Sequence, residues 1–289
     1  MISIILPARD EAANLVLLLP RLRSLLPEEE IIVVDDGSVD GTVILAKEQS
    51  ITVVSHPYPK GNGAAIKTGA RAAKGDVLIF MDADGQHKPE DIPLLLAKFD
   101  EGYDMVVGAR QSGSHAGVHR AAANDVFSRF ATWMVQQPVE DLTSGFRVVD
   151  AKKFRKFMYL LPNGFSYPTT ITMSFFRAGF NVGYVPVQAL QRANGKSHIR
   201  PIRDGVRFLL IIIKIGTLYS PQKLFIPISG AFFVSGFLYY LYTFLTADRF
   251  TNMSALLFIS AILTFLVGIV SEQISALHYK GIDDARRND

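Results

Sequence analysis

From residue 2 to about 110 the chain alternates short β-branched and aliphatic runs with stretches of helical period. The runs Ile2–Leu6, Ile31–Val34, Ile51–Ser55, Asp76–Met81 and Tyr103–Gly108 predict strands, and the stretches near 12–26, 40–49, 63–73 and 89–100 predict helices. Regular alternation of the two is the pattern of a parallel sheet flanked by helices, and strands that are apolar almost throughout require burial on both faces. The expected class is therefore α/β, with a Rossmann-like, mostly parallel sheet. After Arg110 the texture changes to Gln111-Ser112-Gly113-Ser114-His115-Ala116-Gly117, a flexible polar loop, followed by a helical stretch from about Arg120 to Gln136.

The C-terminal pattern is different. Leu224–Thr246 and Ser254–Leu277 are each predominantly apolar and more than 20 residues long, enough to cross a hydrocarbon layer of roughly 30 Å at about 1.5 Å per residue. Buried core helices are usually shorter, and Tyr239, Tyr240 and Tyr242 suit an interfacial belt, so the pair reads as a transmembrane hairpin. The turn between them carries one basic residue, Arg249, whereas Lys214 and Lys223 precede the hairpin and Lys280, Arg286 and Arg287 follow it. This asymmetry predicts cytoplasmic termini and a cytoplasmic catalytic portion. Upstream, Asp204–Tyr219 is apolar but punctuated by Arg207 and Lys214, as in a helix lying along the interface. The expected layout is a catalytic domain over 1–200, an interfacial region over 201–222, the hairpin over 223–278 and a tail over 279–289.

Composition narrows the chemistry. Hydrophobic residues make up 49% of the chain and mean hydropathy is +0.22, an excess concentrated in the C-terminal segments. A net charge of +3 without an arginine-rich tract suits an anionic substrate or membrane face and argues against a nucleic-acid partner. With no cysteine, there is no thiolate nucleophile or disulfide, so carboxylates, bases and a metal ion must carry the reaction. Met1-Ile2-Ser3-Ile4-Ile5-Leu6-Pro7 lacks a basic region and a long apolar core and reads as a first strand rather than a signal peptide.

Asp82-Ala83-Asp84-Gly85-Gln86-His87 directly follows the fourth strand. Ligands of open α/β sheets bind outside the carboxyl ends of strands, where carboxylates at i and i+2 can share one hard cation that bridges a diphosphate. The same residues also suit an Asx turn or a helix cap. The second strand ends similarly, in Asp35-Asp36-Gly37-Ser38-Val39-Asp40-Gly41-Thr42. There Asp36 suits a ribose hydroxyl or base edge, and Asp40 a helix N-cap. Pro7-Ala8-Arg9-Asp10-Glu11 adds a third acidic strand end to one crevice. Lys60-Gly61-Asn62-Gly63 is glycine-rich but lacks GxxxxGK[ST], so its glycines read first as turn and packing residues.

The runs PxxxE at Pro7–Glu11, DDGSxDGT at Asp35–Thr42 and DADGQH at Asp82–His87 resemble family 2 glycosyltransferases of the GT-A fold. More narrowly, the chain is similar to the dolichol-phosphate mannose synthases and bacterial polyprenyl-phosphate glycosyltransferases. That similarity covers roughly residues 1–220 and includes Gly108-Ala109-Arg110, Asp141-Leu142-Thr143-Ser144-Gly145-Phe146-Arg147 and the segment Arg192 to His198. It implies that Pro7, Arg9, Glu11, Val34 and Asp36 line the nucleoside, and that Asp82, Ala83, Asp84 and Gln86 sit at Mg2+ or Mn2+ beside the diphosphate. It also implies that Arg110 and Arg192 pair with phosphates. Arg9 stands where relatives often have an aromatic residue, and His198 where they have a lysine, which leaves Lys196 or His198 for that phosphate contact.

The implied activity is inverting transfer of a hexose from a GDP- or UDP-sugar to a polyprenyl or dolichyl phosphate at the cytoplasmic membrane face. Arg120, Arg129 and Arg147 are candidates for the acceptor phosphate, against a default of solvated surface arginines; for Arg147 a salt bridge to Asp141 is the alternative. A lipid phosphate is already anionic, so Asp84 and Arg110 would act electrostatically; a hydroxyl acceptor would need a base, for which Asp141 is the candidate. Two other readings compete. A polysaccharide synthase should carry a QxxRW motif, which the surroundings of the only tryptophan, Ala131-Thr132-Trp133-Met134, do not match. A non-catalytic nucleotide-sugar adaptor should not retain Asp82, Asp84 and Arg110.

Overall fold

The computed structural model of the protein describes residues 1–110, 128–164, 166–188, 213–214 and 216–287, with side chains as far as 277. The chain divides into two compact units, Met1–Ile199 and Arg200–Asp289.

The first unit is built on a seven-stranded sheet. In chain order its elements are β1 (Ile2–Ala8), α1 (Ala12–Leu25), β2 (Glu30–Asp35), α2 (Thr42–Glu48), β3 (Thr52–Ser55), α3 (Asn62–Ala72), β4 (Val77–Phe80), α4 (Ile92–Asp100), β5 (Met105–Arg110), β6 (Arg147–Asp150), α5 (Ala151–Phe157), α6 (Tyr167–Arg177) and β7 (Val182–Val187). The five strands and four helices expected before residue 110 are present within a few residues of their predicted bounds. Of the Arg120–Gln136 stretch, residues 128–135 are described and helical; the polar loop before it lies outside the described residues.

Burial explains the pattern. Ile4, Ile5 and Leu6 of β1 and Leu78, Ile79 and Phe80 of β4 are all solvent-inaccessible, covered by helices on both faces. Leu15, Leu18, Leu19 and Leu22 of α1, spaced i, i+3, i+4 and i+7, form a single buried stripe. On the opposite face α3 comes unusually close, because a Cβ on Gly69 would lie only 2.4 Å from Ile5 Cγ2. Phe157, Phe175 and Phe180, with ring centroids 5.4–6.1 Å apart, close the core beneath α5 and α6.

The strand order is β3-β2-β1-β4-β6-β5-β7. The order reverses at β1, which pairs in parallel with both β2 and β4 and thereby opens a crevice at the carboxyl ends of the strands. Among the described strands only β6 runs antiparallel, inserted between β4 and β5. Its first residue, Arg147, is in register with Phe80 on one side and Val107 on the other. The insertion thus sets the end of β4 and the end of β5 on either flank of the turn that precedes β6.

The second unit is a helical hairpin, α7 (Pro221–Ala247) and α8 (Asn252–Arg287). Pro221–Ala247 and Asn252–Leu277, 27 and 26 residues long with mean hydropathies of 1.7 and 2.5, have the length and composition to cross a membrane. They lie antiparallel and close. A Cβ on Gly268 would come 2.7 Å from Phe225 Cβ, one on Gly236 would come 3.0 Å from Leu257 Cβ, and Ser229 Oγ donates to the Ala261 carbonyl at 2.8 Å. Asp248 turns the chain with a left-handed φ of 47°, its N–H capping the Phe244 carbonyl at 2.9 Å. Phe233, Leu238, Leu245, Ile262 and Leu266 remain exposed, unlike the side chains of a core helix. Most of the expected interfacial segment Asp204–Tyr219 lies outside the described residues; its end, 216–219, is helical.

Candidate active site

Three strand ends build the crevice, and hydrogen bonds fasten them to one another. After β1, Asp10 adopts a left-handed φ of 55° and accepts from Val39 N at 2.8 Å, while its own N–H donates to Ser38 Oγ at 2.9 Å. Glu11 N donates to Thr42 Oγ1 at 3.0 Å. Asp40 accepts from Thr42 N at 2.9 Å and from Ala12 N at 3.1 Å, so one carboxylate satisfies backbone donors at the start of both α1 and α2. Arg9 is exposed, and Pro7 and Glu11 are half-buried beside this brace.

Asp36 is sealed in. His56 Nδ1 lies 2.7 Å from its Oδ1, and the N–H groups of Lys60 and Gly61 donate to it at 2.7 and 2.8 Å. Burial pushes its carboxyl up, but the bonds from His56, Lys60 and Gly61 outweigh this and hold it below the ordinary carboxylate value. Asp36 therefore ties the end of β2 to the Lys60–Gly61 loop. Val34 is wholly buried against α3, with its methyl 3.1 Å from the position of a Cβ on Gly69. Its side chain packs the core and does not line the crevice as expected. The glycines of the loop are packing residues, as read: a Cβ on Gly61 or Gly63 would lie 2.5 or 2.1 Å from the carbonyl oxygen of Asn163 or Pro162.

At the end of β4, Asp82 and Asp84 are half-buried and Ala83 between them is buried. Asp84 Oδ1 accepts from Gln86 N at 3.1 Å, and Asn62 Nδ2 lies 3.5 Å from Asp82 Oδ1. The Asp82 carboxylate rests on the bare Cα of Gly145, where a Cβ would come 2.8 Å from Oδ2. Gly145→Ala is expected to swing that carboxylate away, lowering activity at least tenfold while shifting the melting temperature little, because the atom displaced is the end of a side chain and not backbone. Activity and thermal denaturation of the same preparation check this; wild-type activity in the variant defeats it.

Asp141 and Arg110 form the other wall. Arg110 Nε and Nη2 donate to the two Asp141 oxygens at 2.8 and 3.1 Å, a bidentate grip. Asp141 also accepts from Thr143 N and Ser144 N at 2.9 and 3.1 Å and is itself wholly buried. Burial raises its carboxyl, but Arg110 and these backbone donors override that and hold it below the ordinary carboxylate value. A carboxylate so engaged is not a general base, which corrects that candidate role; it fixes Arg110. The Arg110 side chain keeps about a third of its surface exposed, and the grip leaves Nη1 to other acceptors.

Arg147 also requires correction as an acceptor ligand. It has no exposed surface, its Nη1 donates to the Pro168 carbonyl at 3.3 Å and Thr172 Oγ1 at 3.2 Å, and its Nη2 donates to the Ser144 carbonyl. Arg129 is exposed on the helical segment 128–135, whereas Arg120, Arg192 and His198 lie outside the described residues.

Three contributors were not singled out from the sequence. His56 holds Asp36, Gly145 seats Asp82, and His87 stacks on Phe146 with centroids 5.0 Å apart. Burial pushes His87 down to about 4, opposed by Asp84 and assisted by Arg110, so it is neutral at physiological pH. The motifs that contain Gly145 and His87 were legible, but their other residues drew the reading. Among the described residues no cluster of three or more His, Asp or Glu forms a ready-made metal cage. The donor set that remains, the two half-buried carboxylates of Asp82 and Asp84 with Gln86 two residues on, fits a hard dication that completes its shell with diphosphate and water oxygens.

A mostly parallel sheet with a strand-order reversal, acidic turns at three strand ends and an anchored arginine opposite them defines the GT-A class of glycosyltransferase. The chain belongs to glycosyl transferase family 2, whose family model matches residues 3–160, and a second model, the GtrB C-terminal hairpin, matches residues 220–277. It is 31% identical over 207 residues to the undecaprenyl-phosphate mannosyltransferase of Micrococcus luteus, covering 67% of this chain and 85% of that protein. It is 29% identical over 209 residues to the polyprenol monophosphomannose synthase of Mycolicibacterium smegmatis, covering 67% and 79%. Among solved structures it resembles glucosyl-3-phosphoglycerate synthase from Mycobacterium tuberculosis in complex with Mn2+, uridine-diphosphate and glucosyl-3-phosphoglycerate. The TM-score is 0.59 with 22% identity over 75% of this chain and 78% of that one, a likeness of fold.

Proposed function

We propose that this glycosyltransferase moves a hexose from a GDP- or UDP-sugar to a polyprenyl or dolichyl phosphate, with inversion, at the cytoplasmic face of a membrane. The observation that carries the reading is the facing pair: the acidic turn Asp82–Gln86 on one side and Arg110, immobilised by Asp141, on the other. The names of the Micrococcus and Mycolicibacterium relatives support the lipid acceptor, and the apolar hairpin supports delivery at a membrane. The basic residues that flank the hairpin, set against the single Arg249 in its turn, support cytoplasmic termini.

Asp82, Asp84 and Gln86 would hold Mg2+ or Mn2+, which supplies Lewis-acid neutralisation of the charge that develops on the departing diphosphate. Arg110 directs Nη1 to a phosphate oxygen, and its bidentate grip on Asp141 removes the entropy cost of orienting it. Pro7, Arg9, Glu11 and the loop tied down by Asp36 receive the nucleoside. Arg192 and His198 are assigned to donor phosphates, and Arg120 and Arg129 to the acceptor phosphate. An oxygen of the acceptor phosphate is already anionic. It attacks the anomeric carbon, the bond from that carbon to the diphosphate oxygen breaks, and no base is required.

The test incubates the purified full chain with a panel of GDP- and UDP-hexoses, Mn2+ or Mg2+, and polyprenyl phosphate, and identifies the products by mass spectrometry. Transfer to lipid phosphate from one donor is expected. An unmodified lipid alongside glycosylation of a free saccharide rejects the acceptor assignment and leaves only the class.

A further inference from the structure

Among the described residues, Arg147 is the largest side chain that is completely buried, and no carboxylate lies within ion-pair distance of it. Its partners are neutral: the carbonyls of Ser144 and Pro168, Thr172 Oγ1 and, at 3.8 Å, Met105 Sδ, with the Tyr167 ring 6.0 Å away. Among the described residues its Nε has no hydrogen-bond partner. Guanidinium does not lose its proton in proteins, so a full positive charge is held here at a high desolvation cost. Shape alone does not account for it, since apolar residues of similar volume fill buried charged positions at equal or better stability.

The position explains the charge. Arg147 starts the one antiparallel strand, between Phe80 and Val107, two residues after the Gly145 on which the Asp82 carboxylate rests. Asp141 and Asp82 both interact with it electrostatically through the protein interior, where screening is weaker than in bulk water. Three carboxylates, Asp82, Asp84 and Asp141, are thus set against two guanidinium groups, Arg110 half-buried at the crevice and Arg147 beneath. Without Arg147 the net negative charge of the site doubles.

We infer that Arg147 is a positioning residue of purely electrostatic action: a fixed charge under the site that weakens its hold on a free dication and strengthens its hold on a nucleoside diphosphate. The cation therefore enters with the nucleotide rather than ahead of it. This inference rests on the reading of Asp82 and Asp84 as the cation site.

The test measures binding, not turnover, on the full chain in detergent. Binding of Mn2+ alone is titrated by electron paramagnetic resonance, and binding of UDP and GDP in chelator by calorimetry, for wild type, Arg147→Met, Arg147→Gln and Arg147→Lys. In the two neutral variants Mn2+ alone is expected to bind roughly fivefold tighter and the preferred nucleoside diphosphate roughly fivefold weaker, on the order of one screened charge interaction across the interior. Arg147→Lys is expected to stay close to wild type in both. Opposed shifts that lysine restores support the inference, because a packing defect would weaken both ligands together and lysine would not repair it. Affinities that move in the same direction, or a lysine variant that behaves like methionine, overturn it. So does failure of both neutral variants to fold, which makes Arg147 structural. A wild type that binds no Mn2+ even with nucleoside diphosphate overturns the cation site itself, a result separate from the others.

Discussion

Asp84→Ala is expected to lose sugar transfer by roughly two to three orders of magnitude, the usual effect of removing one preorganised group that stabilises transition-state charge, while the protein stays folded. Asp84 is half-buried in the turn after β4, where its carboxylate accepts from Gln86 N at 3.1 Å. Losing that bond costs about 1 kcal/mol, too little to unfold the domain. The neighbouring Asp82 remains, seated on Gly145. One carboxylate cannot replace two in holding a dication that also retains water and phosphate ligands. The measurement is transfer to radiolabelled polyprenyl phosphate with excess Mn2+, beside a thermal melt. Full activity in this variant, or wild-type activity that persists in chelator, would falsify the cation assignment.

Asp141→Ala is expected to damage both stability and activity. The carboxylate accepts from Arg110 Nε and Nη2 and from the N–H groups of Arg110, Thr143 and Ser144, and no part of it is exposed. Breaking a buried pair from one side costs about 3–5 kcal/mol. Arg110 retains a third of its side-chain surface to solvent, so a loss near the lower end, about 3 kcal/mol, is expected. Arg110 also loses its orientation, and activity should fall at least a hundredfold. Asp141→Asn keeps the shape and part of the hydrogen bonding, so it should be more stable than the alanine variant yet nearly as inactive.

The pH dependence has a definite sign. The folded-state value of Asp141 lies below its unfolded value, so its contribution is complete above the ordinary carboxylate range and disappears as pH falls through the folded value. The asparagine variant should lose that part of the acid sensitivity, as denaturant titrations at neutral and acid pH on the full chain in detergent will register. An Asp141→Asn protein that is as stable as wild type at neutral pH would remove the structural basis of the Arg110 assignment.

How legible the site was depended on which neighbours mattered. Asp82, Asp84 and Arg110 stand in motifs whose strand-end placement follows from hydrophobic runs, so their convergence on one crevice was readable. The parts played by Arg147 and Asp141 were not. Whether an arginine after a turn meets solvent or the interior depends on the elements that cover it, here α6 through Pro168 and Thr172. The same holds for Val34, whose burial reflects the close approach of α3 at Gly69.

Local sequence determined the five strands and four helices before residue 110, because period and apolar run length register one element at a time. It also determined the apolar hairpin, since a predominantly apolar stretch of more than 20 residues requires no partner to be recognised, and the family, through motifs that are contiguous. Tertiary structure alone decided β6 and β7. The first is four residues long and opens on an arginine, and the second contains Gly183 and Pro186, so neither carries a strand signature until its neighbours supply the pairing. The antiparallel insertion of β6 then brings Asp82, Arg110 and Arg147 around one turn. That contact joins residues far apart in sequence, and pairing between distant segments depends on the packing of the whole sheet rather than on any one of them.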